Sequence, residues 1–139
     1  MIRNFTKKQR AFTLVELLVV IAIIGLLSTI VIVSFGTVRN QAKDSAIKAN
    51  LDQMRLAAEM TYANNGNYVG ANTRTDWNAA LASVNTACGC SGVGIVNGTG
   101  TAWCVSANTV VDSANWWCLD SAGNIGNAKK CNAATWRCE

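Results

Sequence analysis

The hydrophobic pattern of the chain is dominated by one long apolar run near its N-terminus. No residue is charged from Leu17 to Val38, a stretch of 22 positions. An α-helix rises about 1.5 Å per residue, so this run is long enough to cross the hydrocarbon core of a bilayer. Glu16 lies at its N-terminal edge, where a carboxylate is costly to place in a membrane. The pattern therefore predicts a membrane helix in which Glu16 has a functional role and a specific partner.

A second helical pattern follows the apolar run. Its apolar positions recur at steps of three or four residues and are Ile47, Leu51, Met54, Ala58 and Tyr62. This periodicity is typical of an amphipathic α-helix, and the Asn-Asn-Gly-Asn sequence at residues 64–67 is a strong stop signal. We expect one long helix, apolar on all sides over residues 12–35 and amphipathic over residues 36–65.

Residues 66–139 have a different composition, rich in Asn, Gly, Ser, Thr and Ala. Asp76 is placed to N-cap a short helix over residues 77–84. Large aliphatic side chains are sparse in this part of the chain, and Trp residues supply much of its apolar bulk. A domain this small has a marginal core and usually needs covalent cross-links.

Two strands are predicted in this C-terminal part. Aromatic and β-branched side chains are concentrated at residues 101–107 and 115–120, which is typical of β-strands. Residues 85–100 and 121–139 have the composition of loops. The sequence therefore predicts an α+β fold, in which the long helix packs against a small, disulfide-stapled antiparallel β head at residues 66–139.

Six cysteines lie beyond the predicted membrane run. They are Cys88, Cys90, Cys104, Cys118, Cys131 and Cys138. The chain contains no His and lacks the cysteine spacings of zinc sites, and the absence of a Cys-x-x-Cys motif disfavours a redox-active pair. Six cysteines in a small non-cytoplasmic domain predict up to three disulfides in an oxidising compartment. The sequence leaves the pairing open, and one candidate is a cross-strand bridge between Cys104 and Cys118.

The positive charge of the chain belongs to its N-terminal segment. Residues 1–11 contain four basic residues and no acidic one, whereas the remaining residues carry eight of each kind. By the positive-inside rule, this segment stays in the cytoplasm and the rest of the chain lies across the membrane. Because the excess charge is confined to a tail and does not cover a folded face, we predict no direct nucleic-acid partner.

Little in residues 66–139 indicates catalysis or cofactor binding. With no His and few carboxylates, this part has no nucleophile–base arrangement, so we predict that the protein is not an enzyme. No cofactor or metal is expected, with calcium as the alternative. The candidate calcium ligands are Asp112, Asp120, Asn124 and Asn127. They do not match an EF-hand, and turn formation explains them more simply.

Two further surface features are open to alternative interpretations. Trp116 and Trp117 are adjacent in a predicted strand and therefore face opposite sides, which places one of them outside or at a subunit contact. Binding of a sugar or a surface is the alternative role for these side chains. The Asn-Gly-Thr sequence at residues 97–99 is either a glycosylation sequon or a turn.

The start of the apolar run carries a recognisable signal. Residues 11–27 read Ala-Phe-Thr-Leu-Val-Glu-Leu-Leu-Val-Val-Ile-Ala-Ile-Ile-Gly-Leu-Leu. This segment closely resembles the class III signal of type IV pilins and of type II secretion pseudopilins. The resemblance implies that a prepilin peptidase removes residues 1–11 by cutting between Ala11 and Phe12, and that it N-methylates Phe12. Glu16 then takes the family's conserved fifth position of the mature chain.

The resemblance extends into the rest of the chain. Residues 43–68 are similar to the amphipathic half of a pilin helix, and the cysteine-rich end resembles the disulfide-bounded region of many pilins. Cleavage would give Phe12 a free amine four residues before Glu16. If the amine of one subunit meets Glu16 of its neighbour, burying both charges becomes tolerable only in the correct stagger, so the pair would fix the register of assembly.

The resemblance implies a prepilin that polymerises into a type IV pilus serving adhesion, motility or DNA uptake. It would cross the cytoplasmic membrane once, with its N-terminus inside and lipid around its helix, and then enter an extracellular filament. The implied partners are copies of itself, a prepilin peptidase, a membrane platform protein and a cytoplasmic assembly ATPase. The alternatives are the major pseudopilin of a type II secretion system and a membrane-anchored binding module that never polymerises.

Overall fold

The computed structural model describes residues 12–97, 99–127 and 129–139. Its chain divides into two compact units, one ending at Gly36 and the other beginning at Thr37. In chain order the elements are helix α1 (Leu14–Asn65), a 3₁₀ turn (Ala71–Thr73), helix α2 (Thr75–Cys88), and strands β1 (Val93–Val96), β2 (Trp103–Asn108), β3 (Trp116–Asp120), β4 (Ile125–Asn127), β5 (Cys131–Asn132) and β6 (Arg137–Cys138). The predicted α+β fold is confirmed.

Helix α1 ends where the polar turn begins. Gly66 has a φ of 70°, the left-handed conformation that glycine adopts with little strain. Its N–H donates to the carbonyl of Tyr62 at 2.7 Å, so one of the last carbonyls of the helix is satisfied as in an αL cap. The Asn-Gly pair therefore stops the helix by a specific backbone conformation.

Four strands form one antiparallel sheet in the order β1-β2-β3-β4, and β5 pairs with β6 in a separate hairpin. The strands predicted at residues 101–107 and 115–120 correspond to β2 and β3. β2 begins two residues later than predicted, because the side-chain carbonyl of Asn97 accepts the backbone N–H groups of Thr101 and Ala102 and makes a turn there.

The prediction of a loop over residues 85–100 was wrong for β1. This strand contains Gly94, and a Cβ built there would lie 2.6 Å from Cε of Met54 and 3.0 Å from a ring carbon of Trp77. Glycine is therefore needed for the strand to approach the core, and its low strand propensity obscured the pattern. The predicted loop over residues 121–139 likewise contains the short strands β4, β5 and β6.

Helix α2 also begins earlier and ends later than predicted. Its N-cap is Arg74, which makes no side-chain capping bond, so the prediction that Asp76 caps the helix was wrong. Asp76 lies in the first turn, where its carboxylate accepts the backbone N–H of Trp77 at 2.9 Å and pairs with the Arg74 guanidinium at 2.6 Å. A carboxylate in the first turn is favourable toward the helix dipole.

The core of the second unit lies between α1, α2 and the sheet. Its largest fully buried side chains include Trp77, Trp103, Ile47, Leu51, Met54 and Leu119. The rings of Trp77 and Trp103 meet edge to face with centroids 6.4 Å apart, a favourable aromatic geometry. Tyr62 departs from the predicted apolar stripe: it is 48% exposed, whereas Thr61 is buried and donates to the carbonyl of Ala57.

Two disulfides fasten the β5–β6 hairpin to the larger sheet. Cys104 of β2 is bonded to Cys131, and Cys118 of β3 is bonded to Cys138. The predicted Cys104–Cys118 bridge was wrong, because the sheet register places Cys104 opposite Asp120 and Cys118 opposite Ser106. These bonds join residues 27 and 20 positions apart, and loop closure of that size corresponds to about 3–4 kcal/mol each. The third disulfide joins Cys88 to Cys90.

Asp120 reinforces the same attachment without a covalent bond. The residue is 2% exposed, and its carboxylate accepts N–H groups from Ala122, Asn124 and Cys138 at 2.9–3.0 Å. Burial opposes its ionisation, but the hydrogen bonds from the Asn124 side chain and these backbone donors outweigh it and lower the pKa of Asp120. A buried ionised carboxylate thus links β3, its following turn and β6.

Candidate functional site

The N-terminus of α1 is closed by a reciprocal pair of side chains. The Oε2 atom of Glu16 accepts the backbone N–H and the hydroxyl of Thr13, each at 2.8 Å. In return, the backbone N–H of Glu16 donates to Oγ1 of Thr13 at 3.3 Å. This arrangement is a capping box, which satisfies N–H groups that a helix start leaves without intrahelical partners.

This capping box was not predicted from the sequence. Its signal is the spacing Thr-x-x-Glu directly before an apolar run. A carboxylate in the first turn also interacts favourably with the positive end of the helix dipole. The local sequence therefore holds Glu16 at the helix terminus, with Oε2 occupied. Within the part of the chain that the structure describes, no hydrogen bond reaches Oε1.

Apolar side chains surround this polar terminus and face outward. Phe12 is 76% exposed and Leu14 is 78% exposed. Further along the same unit, the described exposed large apolar residues are Val15, Leu17, Leu18, Val19, Val20, Ile21, Ile23, Ile24, Leu26, Leu27, Ile30 and Phe35. A helix that is apolar on all sides requires lipid or protein around it. Glu16 is the only charged residue among residues 12–36.

Two other polar side chains of this unit, those of Ser28 and Thr29, are satisfied by their own helix. The Ser28 hydroxyl donates to the carbonyl of Ile24, and the Thr29 hydroxyl donates to the carbonyl of Leu26, both at 2.7 Å. These hydroxyls therefore require no external partner. Among the described side chains of residues 12–36, Glu16 is the polar group that a neighbouring molecule could recognise.

No single helix in the described residues is both long enough and apolar enough to pass as a membrane span. Two consecutive helical segments, Leu14–Ile30 and Phe35–Asn65, meet the criteria of length and composition as a pair.

The predicted processing and assembly residues are only partly described. Glu16 lies in the first turn of α1 and Phe12 two residues before the helix begins, and both are exposed. Ala11, with the predicted junction before Phe12, lies outside the described residues. The roles assigned to Ala11, Phe12 and Glu16 stay predictions.

The two adjacent tryptophans each contact a lysine. Nζ of Lys130 lies 4.5 Å from the ring centroid of Trp116, and Nζ of Lys48 lies 4.2 Å from that of Trp117. Both rings are half-buried, and Trp117 packs against the core cluster. Cation–π contacts of this kind stabilise the fold and cover part of each ring face.

The four calcium-ligand candidates take part in local structure. The carboxylate of Asp112 accepts hydrogen bonds from the backbone N–H of Ala114 and the side-chain amide of Asn115. The carboxylate of Asp120 accepts the backbone N–H of Ala122 in the turn that follows β3. Asn124 donates to Asp120, and Asn127 lies in β4 opposite Trp117. No group of three His, Cys, Asp or Glu side chains that could hold a metal occurs in the described ranges. Calcium binding stays the alternative to the expectation that no cofactor is bound.

Comparison with known proteins supports the N-terminal signal. A family model described as the prokaryotic N-terminal methylation motif matches residues 6–32. The chain is also 34% identical over 67 residues to the type IV major pilin protein PilA of Myxococcus xanthus. The aligned region covers 48% of this chain and 30% of that relative. No solved structure matches significantly. These findings confirm the resemblance to type IV pilins.

Proposed function

We propose that this chain, which carries the N-terminal methylation signal of prokaryotic pilins, is the prepilin of a type IV pilus. A prepilin peptidase would cut between Ala11 and Phe12 and methylate the new terminus. The mature chain would then polymerise through α1 into a helical filament. Its role is structural and not enzymatic, in keeping with its similarity to a pilin.

One observation carries the proposal: Glu16 is the only charged residue among residues 12–36, whose described large apolar side chains are exposed. Those side chains gain free energy when lipid or other helices cover them. A carboxylate among them opposes that burial unless a positive group meets it. A helix needed only as an anchor would have no reason to keep this charge.

The capping box supplies hydrogen-bond donors to the Glu16 carboxylate before assembly. The Thr13 donors stabilise the carboxylate at the helix start while lipid surrounds the unit. Cleavage then converts the amide nitrogen of Phe12 into a charged amine. The amine of one copy approaches Glu16 of the next, where Oε1 is still available for a donor.

This charge pair selects one arrangement of neighbouring helices. Apolar helix surfaces can slide along each other with small changes in contact energy, but a stagger that separates the amine from the carboxylate leaves two buried charges unpaired. Such a state is destabilised by about 3–5 kcal/mol. Head-to-tail contacts that do not close into a ring extend as a helical filament.

The proposed route of the chain follows from the same features. The basic residues of segment 1–11 keep that segment in the cytoplasm, so the prepilin crosses the cytoplasmic membrane once. A platform protein and a cytoplasmic ATPase would drive its extraction from lipid into the filament. The disulfides of the second unit fit exposure to an oxidising compartment outside the cytoplasm.

The test is the Glu16→Leu substitution, followed by electron microscopy of sheared cell-surface fractions with an antibody to residues 66–139. We expect long external fibres from the original chain and at least about a tenfold loss from the variant, at equal membrane levels. Equal cleavage at Phe12, checked by mass spectrometry, separates an assembly defect from a processing defect. Normal fibre yield from Glu16→Leu would overturn the proposed role.

The same experiment distinguishes the alternatives. A type II secretion pseudopilin would give periplasmic signal without long external fibres, and a non-polymerising binding module would stay in the membrane fraction. Either result from the original chain would contradict the pilin proposal.

A further inference from the structure

The three disulfides differ in exposure and in the length of chain that they close. Each of the two long-range bonds contains at least one buried cysteine: Cys104 and Cys118 are fully buried, and Cys138 is 3% exposed. Cys88 and Cys90 are both only partly buried, at the C-terminal end of α2 and in the turn after it. Their bond joins residues two positions apart, against 27 and 20 for the others.

We propose that the Cys88–Cys90 bond is a thiol–disulfide exchange site that reacts reversibly with small-molecule thiols. Exchange requires a thiolate to reach a sulfur of the disulfide, so access decides which bond reacts. Burial of Cys104, Cys118 and Cys138 hinders such attack at the long-range bonds, where Cys131 alone is partly buried, whereas both cysteines of the bond after α2 are only partly buried.

Chain entropy also favours reduction of the Cys88–Cys90 bond over reduction of the two long-range bonds. Closing a long loop removes many conformations from the unfolded chain, so opening it by reduction is unfavourable to the fold. The ring closed by Cys88 and Cys90 contains a single intervening residue, Gly89, and its opening releases few conformations. The bond can therefore open while the core and the two long-range disulfides keep the second unit folded.

A backbone donor identifies the sulfur that leaves. The N–H of Cys90 donates to Sγ of Cys88 at 3.1 Å, which stabilises negative charge on that sulfur. The incoming thiolate attacks Sγ of Cys90 and forms a mixed disulfide there, while the bond between the two cysteines breaks. The electron pair leaves on Sγ of Cys88, which then takes a proton from water.

A second thiolate completes the reduction. It attacks the sulfur of the small thiol in the mixed disulfide and releases Cys90 as a thiolate, which is then protonated. The small thiol leaves as its own disulfide. Two small thiols are thereby oxidised, and the chain gains the two thiol hydrogens of Cys88 and Cys90.

The surrounding turn favours the reverse reaction because two of its hydrogen bonds do not involve sulfur. Gly89 adopts the left-handed conformation with a φ of 64°, and its N–H donates to the carbonyl of Asn85 at 2.9 Å. The N–H of Gly92 donates to Oδ1 of Asn85. These contacts keep the two thiols close after reduction, so a small-molecule disulfide restores the same bond by the reverse steps.

The test treats the purified full chain in detergent with reduced glutathione at mildly alkaline pH, with samples quenched by iodoacetamide and mapped by mass spectrometry. We expect Cys88 and Cys90 to be alkylated at least about tenfold faster than the other four cysteines. Early samples should contain a peptide with glutathione on Cys90 and the alkyl group on Cys88. Oxidised glutathione should then restore the disulfide and abolish labelling.

A double variant that lacks both cysteines is the control. The double variant Cys88→Ser/Cys90→Ser should lose the fast phase and keep the slow labelling of the other cysteines. Equal reaction rates for all three disulfides, or earlier reaction of the long-range pairs, would overturn the proposal. Glutathione found mainly on Cys88 would refute the assignment of the leaving sulfur. This chemistry is measured on the isolated chain, so it does not depend on filament assembly.

Discussion

The two compact units of this chain reach stability by opposite means. In residues 12–36 the described large apolar side chains are exposed, and the one carboxylate bonds to a residue of its own turn. In residues 37–139 the core-facing side chains of α1, among them Ile47, Leu51 and Met54, are buried in one cluster with tryptophans, and disulfides tie the last strands to the sheet. The contrast shows that one helix, α1, can combine an exposed apolar pattern with an amphipathic pattern that builds a core. The first unit depends on molecules outside the chain, whereas the second is stabilised by the chain itself.

The largest expected effect concerns the covalent support of the second unit. Replacing Cys118 and Cys138 together by Ala should reduce the free energy of unfolding by about 3 kcal/mol, because a long loop is no longer closed. All five tryptophans lie beyond residue 36, so tryptophan fluorescence during denaturant unfolding of the full chain reports on this unit. The matched control is Cys88→Ser/Cys90→Ser, which should change the free energy of unfolding much less. Equal losses would contradict the difference between the bonds.

A smaller effect is expected from the close approach of β1 to the core. Gly94→Ala places a Cβ 3.0 Å from the Trp77 ring, and overpacking of this kind destabilises by about 1–3 kcal/mol. Gly126→Ala in β4 is the control, since a Cβ there meets nothing within 4 Å. The same fluorescence measurement compares the two, and equal stability of both variants would refute the packing argument.

The buried carboxylate of the second unit predicts acid sensitivity. Because folding lowers the pKa of Asp120, its ionised form stabilises the fold above the unfolded pKa of about 3.9. That stabilisation is lost as the pH falls through the lower folded-state value. Asp120→Asn should be less stable near neutral pH and should show a weaker loss of stability between pH 5 and pH 3, by about 1 kcal/mol. An unchanged pH profile, measured by denaturant unfolding, would contradict this role.

The smallest effect is expected at the cap of the first unit. Thr13→Val removes the hydroxyl that donates to Glu16 but keeps the side-chain volume, and loss of a cap weakens a helix start by about 0.5–2 kcal/mol. Fibre yield should stay close to that of the original chain, because the amine of a neighbour still reaches the carboxylate. A loss as large as that of Glu16→Leu would show that assembly depends on the cap and not on the charge pair.

The elements that have a local sequence pattern could be predicted. The features set by contacts between residues far apart in the sequence could not. The period of α1 and the aromatic residues of β2 and β3 are local signals. β1 was missed because Gly94 is required by the core and not by the strand. The pairing of Cys104 with Cys131 depends on where β5 lies against β2, which no local pattern specifies.

Some features of the candidate site could likewise be predicted from the sequence, and others could not. Glu16 stood out as a lone charge in an apolar run, and the signal around it indicated the resemblance to type IV pilins. Its bond to Thr13 was missed even though the spacing of the two residues indicates it. A partner on another subunit cannot be deduced from one chain, because its position depends on how copies pack together.

The measurement that tests the central claim most directly is a helical reconstruction of fibres sheared from cells. The account predicts that the amine of Phe12 in one subunit lies within about 4 Å of the Glu16 carboxylate of a neighbour, as in an ion pair. The first units should surround this pair with their apolar side chains. A filament in which Glu16 contacts only its own Thr13, with the amine of Phe12 placed elsewhere, would contradict the account.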